Sequence, residues 1–316
     1  MAETLKLGLV GCGAIADWHE NAIREVAEVE ITAAIDIDPA KAQAMADKTN
    51  AQAFSSLADA VASGCLDAVL LMLPHHLHEN IAIEALESGV HVILEKPMAP
   101  TPDACERILA AAGKATGRFM LAENAQYWPE IAIAKEAIDA GAIGELVTAR
   151  VQLFFPPMEQ YYGGDKAWRM DKQAAGGGLS IDTGSHYIRP LRMWLGEIDE
   201  VVAAMETPFP GMEGESLARA LFRFQSGLVT SFDLLLTQGA MAPQNIFQLT
   251  GTEGEITIAA GVTLYNPENR RGLKLKEDIP QGYMRSYVGQ MEDFANAILR
   301  EAPFAAPPED SLGELR

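Results

Sequence analysis

Three side chains in this sequence have the types and the settings that acid–base chemistry requires. Lys96 lies in Glu95-Lys96-Pro97, directly after an apolar run that predicts a strand. Asp182 and His186 follow three consecutive glycines, and their spacing of four places both on one face of a helix. A lysine can hydrogen-bond a substrate hydroxyl and stabilise negative charge that develops on its oxygen. Histidine is the natural general base at neutral pH.

Each of these groups also has a purely structural interpretation. Lys96 alone is more often a surface or salt-bridged lysine, and Asp182 with His186 is also an ordinary i,i+4 pair. Two ligand types without a clear third or fourth do not make a metal site. His75, His76 and His78 invite a metal interpretation, but they fall where a predicted strand meets its loop, so we expect packing at a helix start. We predict no metal.

A glycine motif near the N-terminus predicts a dinucleotide site. Gly11-Cys12-Gly13-Ala14-Ile15-Ala16 has the form G-x-G-x-x-A, and it follows a predicted strand and opens a predicted helix. Gly11 permits the tight turn, Gly13 lets the backbone approach a pyrophosphate, and Ala16 is small enough for close helix–strand packing. The helix N-terminus offers free N–H groups and the positive end of its dipole.

Asp36 favours NAD over NADP. It lies twenty residues past Ala16, at the end of the second predicted strand. A carboxylate there accepts hydrogen bonds from the adenosine ribose hydroxyls and repels a 2′-phosphate. No arginine occurs in residues 37–40 to offset that repulsion. The alternative is a glycine turn with an ordinary surface aspartate.

A loop rich in aromatic residues precedes the three glycines. Trp168-Arg169 follows a segment that holds Tyr161, Tyr162, Gly163 and Gly164. Aromatic faces and a forked guanidinium suit sugar hydroxyls or a cofactor amide. Packing at a domain interface is an equally good interpretation of the aromatic side chains.

The elements that would position these residues form two patterns. About 120 N-terminal residues alternate apolar runs with amphipathic stretches, which is typical of βα units on a parallel sheet. Helix starts are indicated at Asp38-Pro39, Ser55-Ser56 and Thr101-Pro102. The predicted strands are Leu5–Val10, Glu30–Ile35, Ala68–Leu73, Val90–Leu94 and Phe119–Ala122.

After Pro129 one more helix is predicted, at about Glu130–Ala140, and β-rich segments follow. Gln225-Ser226-Gly227 reads as a hairpin turn, so the second sheet should be largely antiparallel. The fold class is therefore α/β, with residues 1–123 binding the cofactor and residues 124–316 the substrate. The predicted strands are Leu146–Phe155, Val201–Glu206, Ala218–Phe224, Leu228–Leu236, Ile246–Thr250 and Glu255–Ile258.

Composition excludes several classes of function. The 316 residues carry a formal net charge of -20 and no run of Lys and Arg, which opposes nucleic-acid and anionic-membrane partners. Cys12, Cys65 and Cys105 are scattered, as in a reduced cytosolic protein. No signal peptide or membrane span is indicated, so we expect a cytoplasmic protein. A helix start near residue 308 leaves little chain before Arg316, and the natural chain is expected to continue.

Taken together and in order, these motifs resemble the glucose–fructose oxidoreductase / inositol dehydrogenase / MocA family. The resemblance rests on G-C-G-A-I-A, L-P-H-H-L-H, E-S-G-V-H-V-I-L-E-K-P, W-R and G-G-G-L-S-I-D-T-G-S-H, and it covers nearly the whole chain. It implies a Rossmann doubly wound parallel sheet followed by an α+β domain with an open-faced, mostly antiparallel sheet that mediates dimers or tetramers. It implies Lys96, Asp182 and His186 as the catalytic group.

The resemblance also implies binding residues. Tyr162, Arg169, Lys96, Asp182 and His186 would contact the substrate. Two features depart from the family pattern: many members carry an arginine where this chain has residues 124–128, and an aspartate where it has Arg189. The cofactor residues would be Gly11, Cys12, Gly13, Ala14, Ile15, Asp36, Ile37, Leu73, Pro74, His75, His78, Glu95, Lys96 and Asn124, with Trp168, Arg169 and Tyr287 from the second domain.

The leading hypothesis is NAD-dependent hydride transfer at a secondary alcohol of a sugar, sugar derivative or cyclitol. His186 would take the hydroxyl proton, Lys96 would hold the oxygen, and Asp182 would orient Lys96 or His186. One alternative is redox-neutral glycoside cleavage, in which oxidation, elimination and re-reduction recycle the NAD. Another is a non-catalytic NAD-binding sugar sensor, against which the presence of all three catalytic residues argues.

Overall fold

The computed structural model describes residues 4–163, 167–244, 246–259, 261–276 and 282–315. The chain divides into two compact units. The first comprises the described residues of Met1–Asn124 together with Met284–Arg316, and the second comprises those of Ala125–Tyr283. The first segment of the first unit ends at Asn124, and the sequence-based prediction places a domain boundary after residue 123. The C-terminal segment, predicted with the second domain, belongs to the first unit.

The first unit is built on a six-stranded parallel sheet in the order β3-β2-β1-β4-β5-β6. Its strands are mostly buried, except for the short one at Gln52–Phe54, and this burial explains their continuous apolar runs. All five predicted strands are present, and only the three-residue β3 was missed. The strands are β1 (Leu5–Val10), β2 (Val29–Ile35), β3 (Gln52–Phe54), β4 (Ala68–Leu71), β5 (His91–Glu95) and β6 (Phe119–Ala122).

Three helices of this unit begin where the capping residues predict. Asp38, Ser56 and Thr101 each accept a hydrogen bond from a backbone N–H in the first turn of the following helix. The helices are α1 (Ala14–Ile23), α2 (Pro39–Thr49), α3 (Leu57–Ala62), α4 (His78–Glu87) and α5 (Pro102–Ala112).

The C-terminal segment joins the first unit through contacts distant in sequence. The guanidinium of Arg118 donates hydrogen bonds to the carbonyl oxygens of Ala297 and Ala302, and it lies 4.4 Å from the ring centroid of Phe304. Such contacts leave no periodic pattern in the sequence, so the prediction could not assign the segment. It contains α10 (Gly282–Leu299), which enters the first unit at Met284, a 3₁₀-helix at Pro308–Ser311 and α11 (Leu312–Leu315).

The second unit contains an eight-stranded sheet in the order β14-β13-β12-β11-β7-β10-β9-β8. Its pairings are antiparallel, as predicted, except that β7 and β10 run parallel. The long connection between these two strands makes a parallel return possible. The strands are β7 (Leu146–Phe155), β8 (Ile198–Glu206), β9 (Leu217–Phe224), β10 (Val229–Leu236), β11 (Phe247–Gly251), β12 (Glu255–Ile258), β13 (Val262–Tyr265) and β14 (Leu273–Lys276).

One face of this sheet packs against helices and the other is open. Buried residues alternate with exposed ones along β9, so that Phe222 lies in the core while Leu221 is exposed. Among the described helices, none is long and apolar enough to cross a membrane. The helices of the unit are α6 (Pro129–Asp139), α7 (Glu159–Tyr162), α8 (Lys172–Ala175) and α9 (Ser185–Leu195).

Candidate active site

The glycine loop between β1 and α1 forms an open cradle at a helix N-terminus. Gly11 has a φ of 91°, and a Cβ there would overlap the carbonyl oxygen of Met72, so the turn requires glycine. A Cβ on Gly13 would meet no atom within 4 Å. No side chain caps the N-terminus of α1, where an anion is stabilised by the exposed N–H groups and the dipole. The cradle therefore fits a pyrophosphate.

The space at Gly13 and the crowding at Gly11 predict different effects of the same substitution. We expect Gly13→Ala to fold normally but to weaken NAD binding at least about 10-fold, because the methyl group occupies the cradle. We expect Gly11→Ala to lower the melting temperature, because the added Cβ is both strained and overlapping. Calorimetric titration with NAD and thermal unfolding separate the two. Normal NAD affinity in Gly13→Ala would show that the cradle holds no phosphate.

The carboxylate of Asp36 ties the second strand to the glycine loop. Its Oδ2 accepts a hydrogen bond from the backbone N–H of Cys12, and its Oδ1 accepts one from that of Asp38, both at 2.8 Å. The next side chain, Ile37, is 93% exposed, whereas Ile35 at the end of β2 is buried. Burial raises the pKa of the Cys12 thiol to about 11, and the nearby Asp36 charge adds to the rise. The thiol is thus neutral at physiological pH.

The three histidines lie at a helix start, as predicted. His75 and His76 are in a 3₁₀-helix, and His78 begins α4. The buried ring of His78 places its nitrogens 2.8 Å from the carbonyl oxygens of Leu73 and Pro97. Burial lowers the pKa of His78. Among the described residues, no cluster of His, Cys, Asp and Glu could hold a metal ion.

The segment containing Lys96 emerges at the carboxyl end of β5. Glu95 is buried, and its Oε1 lies 2.6 Å from Nε2 of His19 while its Oε2 accepts the backbone N–H of Lys96 at 3.0 Å. The peptide bond between Lys96 and Pro97 is cis. This edge of a parallel sheet is where ligands of α/β folds bind. Lys96 thus occupies a position suited to ligand contact.

Tyr287 and Asn124 both belong to the first unit. The ring of Tyr287 packs edge-on against His19, with centroids 4.9 Å apart, and beside Trp18. Asn124 donates to the hydroxyl of Ser286 at 2.9 Å. The sequence placed both residues in the second domain, and the structure corrects this because α10 packs beside α1 and the end of β6.

In the second unit, the segment after the three glycines is helical, as predicted, with one unexpected feature. Ser180–Gly184 forms a π-helix that runs directly into α9. Asp182 lies in the π-helix and His186 in the first turn of α9, and both are buried. Short π-helical turns occur frequently at functional sites.

Asp182 is paired with the aromatic loop. Nε of Arg169 donates to Oδ2 of Asp182 at 3.0 Å, and the Tyr162 hydroxyl lies 3.4 Å from the same oxygen. Burial opposes charge on Arg169, yet the Asp182 carboxylate raises the pKa of this guanidinium. Trp168 and Tyr161 flank it, with ring centroids 4.3 Å and 4.9 Å from its central carbon. The ion pair between Asp182 and Arg169 was not predicted from the sequence. Gly164, which the sequence also placed in this loop, lies outside the described residues.

Trp128 is a neighbour of His186 that the sequence reasoning did not assign to the site. The two ring centroids are 6.0 Å apart, and Trp128 also packs against Tyr187 and Tyr283. The sequence did offer an indication, because Trp128 ends the segment 124–128, where the chain departs from the family pattern. Arg189 is buried one helical turn beyond His186.

Two family models match the chain. Residues 5–123 match a model described as an oxidoreductase family with an NAD-binding Rossmann fold, and residues 131–257 match a GFO/IDH/MocA C-terminal domain. The chain is 30% identical to a 1,5-anhydro-D-fructose reductase of Ensifer adhaerens over 98% of its own length and 92% of the relative.

Other relatives and solved structures agree with these matches. An inositol 2-dehydrogenase of Rubrobacter xylanophilus is 26% identical, over 99% of this chain and 89% of the relative. The crystal structure of an oxidoreductase from Thermotoga maritima superposes with a TM-score of 0.88 at 28% identity, covering 99% of this chain and 94% of the other. The WlbA dehydrogenase of Bordetella pertussis, solved with NADH and UDP-GlcNAcA, shares the fold with a TM-score of 0.87 at 24% identity, covering 100% of this chain and 94% of the other.

Proposed function

Since this chain belongs to the glucose–fructose oxidoreductase / inositol dehydrogenase / MocA family, we propose that it oxidises or reduces a secondary alcohol of a sugar, sugar derivative or cyclitol. It is an NAD-dependent oxidoreductase that acts on CH–OH groups. The observation that carries the substrate proposal is the partly buried Arg169–Asp182 ion pair, whose guanidinium lies against two aromatic rings. Such a combination of donors, acceptors and aromatic faces suits a polyhydroxylated ring.

Bound NAD supplies the hydride acceptor or donor. We assign its pyrophosphate to the backbone of residues 11–15 and its adenosine ribose to Asp36, with the exposed Ile37 beside the adenine. The remaining cofactor contacts that we propose are Leu73, Pro74, His75, His78, Glu95, Lys96, Asn124, Trp168, Arg169 and Tyr287.

The proton chemistry is proposed for two residues. His186 takes the proton of the substrate hydroxyl during oxidation and returns it during reduction. Lys96 donates a hydrogen bond to the substrate oxygen and stabilises its developing negative charge. Asp182 holds Arg169 and Tyr162, and the guanidinium N–H groups of Arg169 that do not bond to Asp182 orient the substrate hydroxyls that do not react. Positioning of this kind keeps the reactive carbon in place while His186 and Lys96 act.

A substrate panel tests the proposal. The purified protein is mixed with NAD or NADP and with aldoses, alkyl glycosides, anhydrosugars and inositols, and NADH formation is followed by absorbance. We expect NADH with one of these classes. Absence of NADH across the panel, with no NADH consumption by the corresponding ketones, would overturn the dehydrogenase proposal. Cleavage of a glycoside without net NADH would then support the redox-neutral reaction.

Asp36 should determine the choice between NAD and NADP. We expect Asp36→Asn to reduce the NAD over NADP preference in kcat/KM by about 10-fold or more, because the charge that repels a 2′-phosphate is lost. The matched control is Asp38→Asn, which removes a neighbouring exposed carboxylate charge at the N-cap of α2. Steady-state kinetics with both cofactors give the ratio. A ratio that is equal in the wild type and Asp36→Asn would refute the role of Asp36.

The open face of the second sheet is proposed to bind a second copy of this chain. Val202 on β8 lies opposite Leu221 on β9, and both are exposed. Exposed apolar patches of this kind mark interaction sites. We expect the double substitution Val202→Glu with Leu221→Glu to yield a smaller species in light scattering, whereas Met241→Glu, at an exposed loop position, leaves the size unchanged. An unchanged mass for the double variant would place the interface elsewhere.

A further inference from the structure

The connection between β8 and β9, residues 207–216, contacts two segments of the candidate site at once. On one side, the backbone N–H of Glu213 donates to the carbonyl oxygen of Met170 at 2.9 Å, next to Arg169. On the other side, Glu215 contacts the start of the helical segment that carries Asp182. The connection therefore links the two partners of the Arg169–Asp182 ion pair through the backbone.

Glu215 holds the beginning of that helical segment with two acceptors. Its carbonyl oxygen accepts the backbone N–H of Leu179 at 2.7 Å, and its side-chain Oε1 accepts that of Ser180 at 3.0 Å. The first N–H groups of a helix have no acceptor within the helix, and a carboxylate there is also stabilised by the helix dipole. Glu215 thus supplies the cap that Ser180–Gly184 lacks from its own N-terminal residues.

The glycines before this segment are explained by the same contact. A Cβ on Gly178 would overlap the backbone nitrogen and oxygen of Glu215, and one on Gly214 would overlap the carbonyl of Gly177. Two stretches of backbone therefore cross in direct contact, which only glycine permits. The crossing brings Glu215 to the helix start.

The cap acts on a part of the helix that local hydrogen bonding specifies poorly. A π-helical turn is rare and less regular than an α-helical one, so its location depends on surrounding contacts. Asp182 lies within the π-helix, and His186 is the second residue of α9, which follows directly. A shift of the helix start would move both side chains.

We propose that Glu215 is a positioning residue for Asp182 and His186, acting through the start of the π-helix. The assignment rests on the proposed function only in that these two residues serve the reaction. Glu215 itself touches the backbone of the helix, and the carboxyl group can be replaced by an amide without loss of the acceptor oxygen. A glutamine at this position would lose the negative charge but keep the hydrogen-bond acceptor, so the two contributions of Glu215 can be tested separately.

The experiment compares Glu215→Leu, Glu215→Gln and, as a control, Asp139→Leu, which removes an exposed carboxylate paired with Lys135 in α6. For Glu215→Leu we expect kcat to fall about 10- to 100-fold with unchanged NAD affinity, because small displacements of reacting groups cost rate. Hydrogen exchange of residues 179–187 should accelerate about 10-fold. Glu215→Gln should restore both within about threefold.

Specific outcomes would overturn the proposal. These are a normal kcat in folded Glu215→Leu, exchange in residues 179–187 no faster than in the control, or a Gln variant as impaired as the Leu variant. If Glu215→Leu fails to fold, Glu215→Asp replaces it, since it keeps the charge but shortens the reach. If the wild type turns over no substrate, the failure belongs to the proposed function, and the exchange comparison still decides the role of Glu215.

Discussion

Replacing Lys96 with alanine lowers kcat by about 10²- to 10³-fold on our assignment, while the dissociation constant for NAD changes less than about threefold. The expected loss is that of one donor aimed at an oxygen on which negative charge develops. NAD affinity is retained because the glycine loop and Asp36, which would hold the pyrophosphate and ribose, lie at the ends of other strands.

The measurement is steady-state turnover with the best substrate of the panel, together with calorimetric titration of NAD. Lys114→Ala is the matched control, because Lys114 is an exposed lysine of the same unit beyond α5. Turnover of Lys96→Ala within a few-fold of the control would identify Lys96 as an ordinary surface lysine. A parallel loss of NAD binding would show that Lys96 acts mainly through its proposed contact with the cofactor rather than on the substrate oxygen.

Replacing His186 with asparagine is expected to lower kcat for alcohol oxidation by about 10²- to 10⁴-fold, the range for removal of a general base. Asparagine is smaller than the imidazole ring but keeps a planar polar group beside Trp128, whose ring centroid lies 6.0 Å from that of His186.

Steady-state kcat and kcat/KM check this expectation, with His76→Asn as the control because His76 is exposed in the same chain. If His186→Asn turns over the alcohol as fast as the control, another group takes the proton. If turnover falls and the melting temperature of His186→Asn also falls below that of the control, the substitution has damaged packing. His186→Gln then serves as the second variant.

Much of the first unit was predictable because its signals are local. β1 and β6 have the predicted bounds, and the caps at Asp38, Ser56 and Thr101 begin their helices as expected. A buried parallel strand needs a continuous apolar run, and a helix start needs a short polar side chain at one position. Both requirements are met by a few consecutive residues, so they can be recognised in the sequence alone.

Other elements were missed because their determinants are distant or weak. β3 has three residues, and β14 reads Leu-Lys-Leu-Lys with no buried face, so neither shows a recognisable strand pattern. α10 packs in the first unit through residues such as Tyr287, whose partners lie in α1. Nothing in the local sequence of a helix specifies which sheet its buried face will meet.

The sequence by itself determined the identity of the chemical groups: the glycine loop with Asp36, the lysine after β5, and an aspartate and a histidine four residues apart after three glycines. Only the tertiary structure decided their partners. Asp182 pairs with Arg169, His186 packs against Trp128, and Glu215 caps the start of the helical segment that carries both. The physical reason is that a side chain's spacing and type limit what it can do, whereas its partner depends on which distant backbone packs beside it.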